Sequence, residues 1–437
     1  MATVRAMTGG DSTTDAAAAA PPPPRTYLFT LTDAGGTVPP ELGVARRLVD
    51  RGHRVAVLAE ESMADQVRRT GAAYLPGDFG GPGEFRDWEL RTPTGMARGM
   101  ADHMMSGPAP GQARDTISAI DSVHPDLVVA SAMGVGGMIA AESRGIPFDV
   151  LIPNVYPLPV PGSPPFGMGL APSHGSLGRL RDRVVSAGAT GLIDRYALAP
   201  INTVRQEYGL DAIEHSWDQL RGARRQLVLT SAAFDFAGEL PQNARYVGPI
   251  LDDPAWAADE VWTPPVGTGP LVLVAMSSTF QNHVDCLQRI TDALGSLPVR
   301  GLVTTGPAVG VDQIQAPANV AVVASAPHSE AMRHAHLVVT HGGHGTVIKT
   351  LAAGLPLVIL HHGRDQADNA VRVTSRGAGV AVSRRASADR IARAIAEVLG
   401  DPGYRRAAAD LGSAVARDAA GSALLDELEL IGPVGRT

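Results

Sequence analysis

The strongest constraint on the fold is an alternation of apolar and amphipathic segments, which occurs in both halves of the 437-residue chain. RTYLFTLT is a continuous apolar run that ends at the glycine-containing turn DAGGT, a pattern typical of a buried strand. Pro39 and Pro40 then open a helix with one apolar face, and Gly52 ends that helix before the strand HRVAVLAE. Strand, helix and strand in this order predict a βαβ unit.

The second half has the same order of segments. GPLVLVAMSS and VRGLVTT read as strands around the helix CLQRITDALGSL, and HLVVTHGG reads as a strand before the helix TVIKTLAAG. The sequence therefore predicts two α/β domains with parallel sheets, facing each other across a cleft. The predicted boundaries are a disordered tail over 1–24, an N-terminal α/β domain over 25–240, an interdomain linker over 241–268, a C-terminal α/β domain over 269–412, and a C-terminal helix or tail over 413–437 that can pack back on the N-terminal domain.

Composition excludes several classes of function. The net charge is −7 and the arginines are scattered, whereas nucleic-acid binding requires clustered basic residues. Cys286 is the only cysteine, which rules out an internal disulfide and a thiolate metal cluster and fits a cytoplasmic location. No run of about 18 apolar residues occurs, so we expect no membrane span.

The most informative segment lies between Ala326 and Ala370. The strand HLVVT brings His341 to its carboxyl end, glycines follow, and Thr346 stands at the start of the next helix. The exposed N–H groups at a helix N-terminus, together with the helix dipole, form a site for an anion such as a diphosphate. His341 and Thr346 can each add a hydrogen bond to phosphate.

A second polar pair follows the next strand, LVIL, where Asp365 precedes Gln366. A carboxylate accepts two hydrogen bonds and an amide both donates and accepts, which suits neighbouring sugar hydroxyls. A phosphate site and a hydroxyl site on neighbouring strand ends predict a nucleotide-sugar site.

Four motifs in this segment resemble the donor-binding signature of the family 1 nucleotide-sugar glycosyltransferases. They are x-A-P-H at 325–328, H-G-G-H-G-T at 341–346, L-A-A-G-L-P at 351–356 and D-Q-x-x-N-A at 365–370. The N-terminal run GGTVPPELGVARRLVDRGHRVAVL resembles the same family's first loop, helix and strand. The resemblance is greatest to the bacterial branch that glycosylates antibiotics and other natural products.

The resemblance implies the GT-B fold, two doubly wound Rossmann-like domains that face each other across a cleft. It implies a UDP- or dTDP-sugar as co-substrate, with no further cofactor and no metal. The donor-binding residues that it implies are Ser277, Ser278, Thr279, Ala326, Pro327, His341, Gly343, His344, Gly345, Thr346, Asp365 and Gln366.

The family's usual catalytic pair is absent from this chain. In the family, a histidine in the first loop acts as base and an aspartate after a later strand orients it, but Thr37 and Ser131 occupy those two positions here. Asp33, in the same loop, is the first alternative candidate for the base, although it equally suits a turn-forming role before the glycines. His103, Asp87 and Glu89 are further candidates. An acceptor acidic enough to need little help, or a chain that binds donor without turning it over, also remains open.

The acceptor is predicted to contact the long Pro- and Gly-rich segment LIPNVYPLPVPGSPPFGMGLAPSHG. Its apolar residues Tyr156, Phe166 and Met168, together with His103, are the candidate acceptor contacts, and a plain packed surface loop is the alternative. The resemblance implies an inverting glycosyltransferase, and the apolar loop together with the absence of basic patches favours a small hydrophobic acceptor such as a polyketide, macrolide or aromatic aglycone. A non-catalytic donor-binding partner subunit and a nucleotide-sugar epimerase or hydrolase of the same fold are the rival functions. The oligomeric state stays open, with a homodimer among the options.

Overall fold

Two parallel β-sheets, each covered by helices on both faces, form the described part of the chain. The structure is a computed structural model, and it describes residues 23–80, 83, 85–236, 238–254, 257 and 262–431. The predicted tail over 1–24 lies outside the described residues except for its last two positions.

The N-terminal sheet has seven parallel strands in the order β3-β2-β1-β4-β5-β6-β7. The strands are β1 (Thr26–Thr30), β2 (Arg54–Ala59), β3 (Ala73–Pro76), β4 (Leu127–Ser131), β5 (Phe148–Ile152), β6 (Arg225–Val228) and β7 (Ala244–Tyr246). The strand order reverses between β1 and β4. In open α/β sheets ligands bind at such a switch point, outside the carboxyl ends of the strands.

The C-terminal sheet has six parallel strands in the order β10-β9-β8-β11-β12-β13. The strands are β8 (Leu271–Ala275), β9 (Arg300–Thr304), β10 (Val320–Val323), β11 (Ala335–Thr340), β12 (Leu357–Ile359) and β13 (Gly379–Ala381). Its switch point lies between β8 and β11, which pair directly. The two sheets confirm the predicted α/β fold with two parallel-sheet domains.

The helices follow the predicted alternation with the strands. In the N-terminal domain they are α1 (Val38–Asp50), α2 (Ala64–Arg69), α3 (Pro93–Met100), α4 (Ala109–Val123), α5 (Val135–Ser143), α6 (Gly175–Glu207) and α7 (Asp218–Arg221). In the rest of the chain they are α8 (Val284–Gly295), α9 (His328–His334), α10 (His344–Ala352), α11 (Gln366–Ser375), α12 (Ala388–Gly400), α13 (Pro402–Ala419) and α14 (Ala423–Glu429). Among the described residues, no helix combines the length and the apolar character that a bilayer crossing requires.

Each sheet separates two apolar layers, because successive side chains of a strand point to opposite faces. Along β1, Tyr27 and Phe29 belong to one buried cluster and Leu28 belongs to the cluster on the other face. Along β8, Val274 and Leu273 are divided between two clusters in the same way. Strands buried on both faces explain why the strand sequences are continuously apolar rather than alternating.

The last helix, α14, packs against the N-terminal domain. Its residues Leu424 and Leu428 lie in the same buried cluster as Tyr27 of β1. The Tyr27 hydroxyl donates to the Leu428 carbonyl at 3.2 Å, and Arg224 donates to the carbonyl of Leu430 at 2.9 Å. The segment that follows the C-terminal domain in sequence therefore packs on the N-terminal domain.

Two predicted boundaries need correction. β7 pairs in parallel with β6 and completes the N-terminal sheet, although its residues fall in the predicted linker over 241–268. Only three residues form this strand, and the Pro- and Gly-rich sequence after it obscured the signal. The predicted boundary at 412 lies inside α13, which continues without interruption to Ala419.

Candidate active site

The loops at the switch point of the C-terminal sheet meet the N-terminus of α10. Gly342 has φ +93°, a conformation that favours glycine, and it turns the chain from β11 into the helix. Gly343 is the N-cap of α10, and no side chain caps the helix. A Cβ built at Gly345 has no neighbour within 4 Å, so the first turn borders open space. The N–H groups of this turn are free to bind an anion.

His341 lies beside this helix end and is buried, with 8% of its surface exposed. A Cβ at position 343 would lie only 2.5 Å from His341 Nε2, so glycine at that position makes room for the ring. Burial, followed by the neighbouring imidazoles of His362 and His283, lowers the pKa of His341 to about 3. The imidazole is therefore neutral at physiological pH in the absence of an anion.

His283 and His362 form a cluster with His341 behind the anion site. The backbone N–H of Gln281 donates to His283 Nδ1 at 3.2 Å, which places the proton of His283 on Nε2. His362 Nδ1 lies 2.8 Å from the Leu360 carbonyl oxygen and must donate to it. Neither Nε2 atom has a hydrogen-bond partner among the described residues. Burial lowers the pKa of both rings to about 4, so all three imidazoles are neutral near pH 7.

The serine- and threonine-containing loop after β8 is organised by its own hydrogen bonds. Ser277 Oγ accepts from Thr279 N and from Gln281 Nε2, each at 3.2 Å. Gln366 Nε2 donates to Gln281 Oε1 at 2.9 Å, which joins this loop to the start of α11. Ser278, which lies between Ser277 and Thr279, is half-buried. In this arrangement Ser277 and Gln366 fix the loops around the anion site.

The predicted sugar-binding pair therefore divides into two roles. Gln366 is 1% exposed, and its Oε1 accepts from the backbone of His362 at 2.6 Å. Asp365 Oδ2 accepts from Asn369 Nδ2 at 2.7 Å, and the same amide donates to the Gly342 carbonyl at 3.0 Å. Burial raises the pKa of Asp365, and hydrogen bonds, including one from Asn154 of the N-terminal domain, oppose that shift. Asp365 thus faces the cleft between the domains.

The other donor-site candidates lie in different surroundings. Ala326 is 1% exposed and packs in the apolar cluster behind β8, and Pro327 is the N-cap of α9. Thr346 lies half-buried in the first turn of α10. The His344 imidazole points away from the anion site, because its Nε2 lies 2.9 Å from Thr230 Oγ1 of the N-terminal domain. His344 can therefore serve the donor through its backbone, while its side chain joins the domains.

Arg364 is a site residue that the sequence analysis missed. It donates to both carboxylate oxygens of Asp87, at 2.7 and 3.1 Å, and to Thr279 Oγ1 at 3.1 Å. Its φ of +56° is unusual for a residue with a side chain. Asp87 was one of the candidate bases, but this bidentate ion pair between the domains occupies its carboxylate. A basic residue beside Asp365 was visible in the sequence, but its partner 277 residues away was not.

On the N-terminal side of the cleft, the first loop meets the C-terminal domain. A Cβ at Gly35 would collide with the Thr279 side chain, so the two loops are in close contact. Asp33 is exposed; its carboxylate accepts from Ser62 Oγ at 2.7 Å and from Gly35 N at 3.3 Å. These two hydrogen bonds are the ones expected if Asp33 forms the turn before the glycines. Ser131 ends β4 at the switch point beside β1, and Thr37 is the N-cap of α1.

The candidate acceptor residues do not form one cluster. Tyr156 is 5% exposed, and its hydroxyl donates to Gln226 Oε1 at 2.8 Å, which makes it a core residue. Phe166 and Met168 are 36% and 51% exposed. Their loop docks on α11, because Gly167 N and Gly169 N donate to the Asp368 carboxylate.

His103 and Glu89 make contacts with residues near them in sequence. His103 stacks on Phe85 with ring centroids 5.3 Å apart, and its Nδ1 lies 3.1 Å from the Gly83 carbonyl oxygen. Glu89 is half-exposed and pairs with Arg86.

A cavity of about 930 Å³ opens beyond the carboxyl ends of β2 and β3. Glu60, Ser62, Tyr74, Asp78 and Phe79 are among the residues that line it. Ser62 also donates to Asp33, so this cavity adjoins the first loop. Within the described ranges, no three His, Cys, Asp or Glu side chains converge as metal ligands.

Comparison with known proteins places this site in a family. Residues 289–429 match the family described as "Erythromycin biosynthesis protein CIII-like, C-terminal domain". The chain is 31% identical over 424 residues to the 4'-demethylrebeccamycin synthase of Lentzea aerocolonigenes, an alignment that covers 92% of this chain and 98% of the relative. It is 29% identical over 319 residues to a PGL/p-HBAD biosynthesis rhamnosyltransferase of Mycobacterium bovis (strain BCG / Pasteur 1173P2), covering 70% of this chain and 67% of that protein.

Solved structures share the whole fold. The glycotransferase of kitacinnamycin superposes with a TM-score of 0.74 at 21% identity, and the calicheamicin glycosyltransferase CalG4 with 0.72 at 22% identity. Each alignment covers 94% of this chain and 100% of the other. The chain belongs to the family 1 nucleotide-sugar glycosyltransferases, in the bacterial branch that glycosylates natural products, and is a glycosyltransferase with the GT-B fold.

Proposed function

We propose that this glycosyltransferase moves a sugar from UDP or dTDP to a small hydrophobic natural-product acceptor, with inversion at the anomeric carbon. The observation that carries the proposal is the uncapped N-terminus of α10 beside buried His341, at the switch point of the C-terminal sheet. A nucleoside diphosphate is the ligand whose charge and size suit this position.

The leaving diphosphate is the group that the site is built to stabilise. As the bond between sugar and phosphate breaks, negative charge develops on the phosphate oxygen, and preorganised N–H groups stabilise it most in the transition state. His341 can donate a hydrogen bond to the same phosphate in its neutral form, because a neutral imidazole keeps one ring N–H. The helix end supplies the positive charge that a metal ion supplies in other enzymes, so we propose a reaction without metal or cofactor.

The acceptor is proposed to enter from the N-terminal side of the cleft. Phe166 and Met168 present apolar surface on a loop that is hydrogen-bonded to α11 of the donor domain. The cavity beside the first loop offers further space. The names of the relatives point the same way, since rebeccamycin, calicheamicin and kitacinnamycin glycosyltransferases are similar to this chain. An aromatic or polyketide aglycone is therefore the acceptor class we propose.

Mass spectrometry of reaction mixtures tests this function. The purified protein is incubated with UDP- or dTDP-sugars and a panel of aromatic, polyketide and macrolide aglycones. We expect a mass gain of one sugar on a member of the panel, a loss of that product in the Asp365→Ala variant, and product in the matched Asp389→Ala variant, which alters the first turn of α12. Release of free sugar or an isomerised donor with no glycosylated product would contradict the transferase and favour a hydrolase or epimerase.

A further inference from the structure

Glu41 is a buried acid with no ion-pair partner. It lies in the first turn of α1 and is 0% exposed, and neither carboxylate oxygen accepts a hydrogen bond from the described residues. A carboxyl group in such a place is normally replaced by an apolar residue, because burying it unpaired costs free energy. Burial raises the pKa of Glu41 to about 8, and the hydroxyl of Ser131 partly offsets the shift.

The position of this acid connects it to the missing catalytic pair. Side chains of a helix lean toward its N-terminus, so the Glu41 carboxyl lies over the turn that begins at Thr37. The Glu41 N–H donates to the Thr37 carbonyl at 3.3 Å, and the buried Thr37 Oγ1 has no hydrogen-bond partner in the described part of the chain. Ser131 ends β4 at the switch point beside β1. The chain therefore places a carboxyl group near both positions that hold histidine and aspartate in the family.

No other charged group accounts for the state of Glu41. Asp33, in the loop before α1, is exposed and bonded to a serine hydroxyl. Glu60, after β2, accepts from the backbone of Asp33. Arg46 and Arg47, further along α1, form ion pairs with the carboxylate of Asp252. Burial and the Ser131 hydroxyl are the influences on the Glu41 pKa.

We propose that Glu41 accepts the proton of the acceptor through the Ser131 hydroxyl, in place of the family's histidine–aspartate pair. This inference rests on the proposed function. In the step, the acceptor O–H gives its proton to Ser131 Oγ while the Ser131 proton passes to the Glu41 carboxylate. The acceptor oxygen bonds to the anomeric carbon, and the bond from that carbon to the diphosphate breaks with its electron pair on the leaving phosphate. After the product leaves, the proton returns from Glu41 to solvent through the Ser131 hydroxyl.

The inference predicts a particular pH profile. The carboxylate is the active form, so the fraction of competent enzyme increases as pH rises through the Glu41 pKa. We expect kcat of the wild-type enzyme to rise with pH up to about 8 and then to level off.

The Glu41→Gln variant tests the proposal. Glutamine has the shape of the protonated acid, so the variant should unfold at the same urea concentration as the wild type at pH 7. We expect kcat to fall by about 100-fold or more with little change in donor affinity, and the rise toward pH 8 to disappear. Ser131→Ala should lower kcat similarly. Glu214→Gln, a surface change in the same domain, should keep both the rate and the profile.

The outcomes separate this inference from the function on which it rests. If the wild type transfers no sugar to any acceptor, the proposed function and the inference both fail. If the wild type transfers sugar and Glu41→Gln keeps its kcat and its pH profile, the proton route through Glu41 is wrong while the function stands. Loss of kcat in Asp33→Asn together with normal kcat in Glu41→Gln would assign the base to Asp33 instead.

Discussion

At the scale of single residues, the anion site depends on the fit between His341 and a glycine. The ring of His341 occupies the space that a Cβ at position 343 would need, at 2.5 Å from Nε2. Contacts shorter than 3 Å to carbon force a shift, and a buried ring has little room to move. The position of the His341 ring next to the N-terminus of α10 therefore depends on glycine at position 343.

The Gly343→Ala variant tests this fit. We expect the added methyl group to displace the His341 ring and to weaken nucleoside diphosphate binding by about tenfold, equivalent to roughly 1.4 kcal/mol. Gly188→Ala, where a Cβ meets nothing within 4 Å, is the control and should bind normally. Equal affinity in both variants by calorimetry would show that the His341 position is not what holds the phosphate.

The sequence predicts which residue types surround the donor but not which atoms remain available to it. Ser277 and Gln366 were expected to touch the donor, and in the structure they bind Gln281 from two sides. Hydrogen-bond partners distant in sequence decide such roles, and spacing does not reveal them. Glu41 did leave a signal, since it lies four residues before Ala45 and so on the buried face of α1, where an acid is unexpected.

At the scale of elements, α14 is held to the N-terminal sheet by polar contacts as well as apolar ones. Arg224 donates to the carbonyls of Glu427 and Leu430, each at 2.9 Å, and its Nε donates to Asp149 Oδ1 at 2.9 Å. Asp149 is fully buried, and burial raises its pKa to about 6 even though Arg224 opposes the shift. One arginine therefore satisfies both the end of α14 and a buried acid on β5.

Replacing Arg224 with alanine should destabilise the protein by about 3 kcal/mol, because it leaves Asp149 buried without its partner. The neighbouring Arg225→Ala variant breaks a partly exposed ion pair with Glu427 and should cost less than about 1 kcal/mol. Urea unfolding at pH 7 measures both. Equal losses in the two variants would mean that the buried acid does not depend on Arg224.

The sequence predicts long buried strands far better than short ones. Strands such as β4 and β8 are continuous apolar runs whose burial on two faces leaves a clear pattern. β7 has three residues, and it exists because β6 offers a free edge for pairing. Tertiary pairing of this kind is invisible to local sequence, which is why the predicted linker began too early.

At the scale of the whole molecule, several histidines are buried as neutral rings. Burial lowers the pKa of His283, His344 and His362 to about 4 and that of His341 to about 3. The unfolded chain binds protons at these rings near pH 6.5, so it holds more protons than the folded chain between about pH 6.5 and 4. Stability therefore falls as pH falls through this window. The raised pKa values of Glu41 and Asp149 act in the opposite direction but concern fewer protons than the histidines.

We expect the free energy of unfolding to decrease by at least about 2 kcal/mol between pH 6.5 and pH 5, since each proton contributes up to about 1.4 kcal/mol per pH unit. The His283→Gln variant removes one of these protons and should flatten the dependence. Urea unfolding at several pH values measures the slope. A stability that stays constant over this window would contradict the neutral, buried state of the histidines.

The two domains meet through residues that also border the donor site. Arg364 pairs with Asp87 across the cleft, and His344 pairs with Thr230 at the start of α10. The anion site is consequently built where the domains touch, which is where a donor on one domain must meet an acceptor on the other. Every part of the proposed chemistry depends on the diphosphate binding at this point.

Calorimetric titration of UDP and dTDP into the wild-type protein and the His341→Ala variant tests that claim most directly. The account predicts one site per chain for at least one of the two nucleotides. In the variant it predicts that the diphosphate binds at least tenfold more weakly. The heat of binding of the nucleoside, which lacks phosphate, should be the same in the two proteins. Equal diphosphate affinity in the two proteins would contradict the account, because the donor phosphate would then lie somewhere other than beside His341 and the N-terminus of α10.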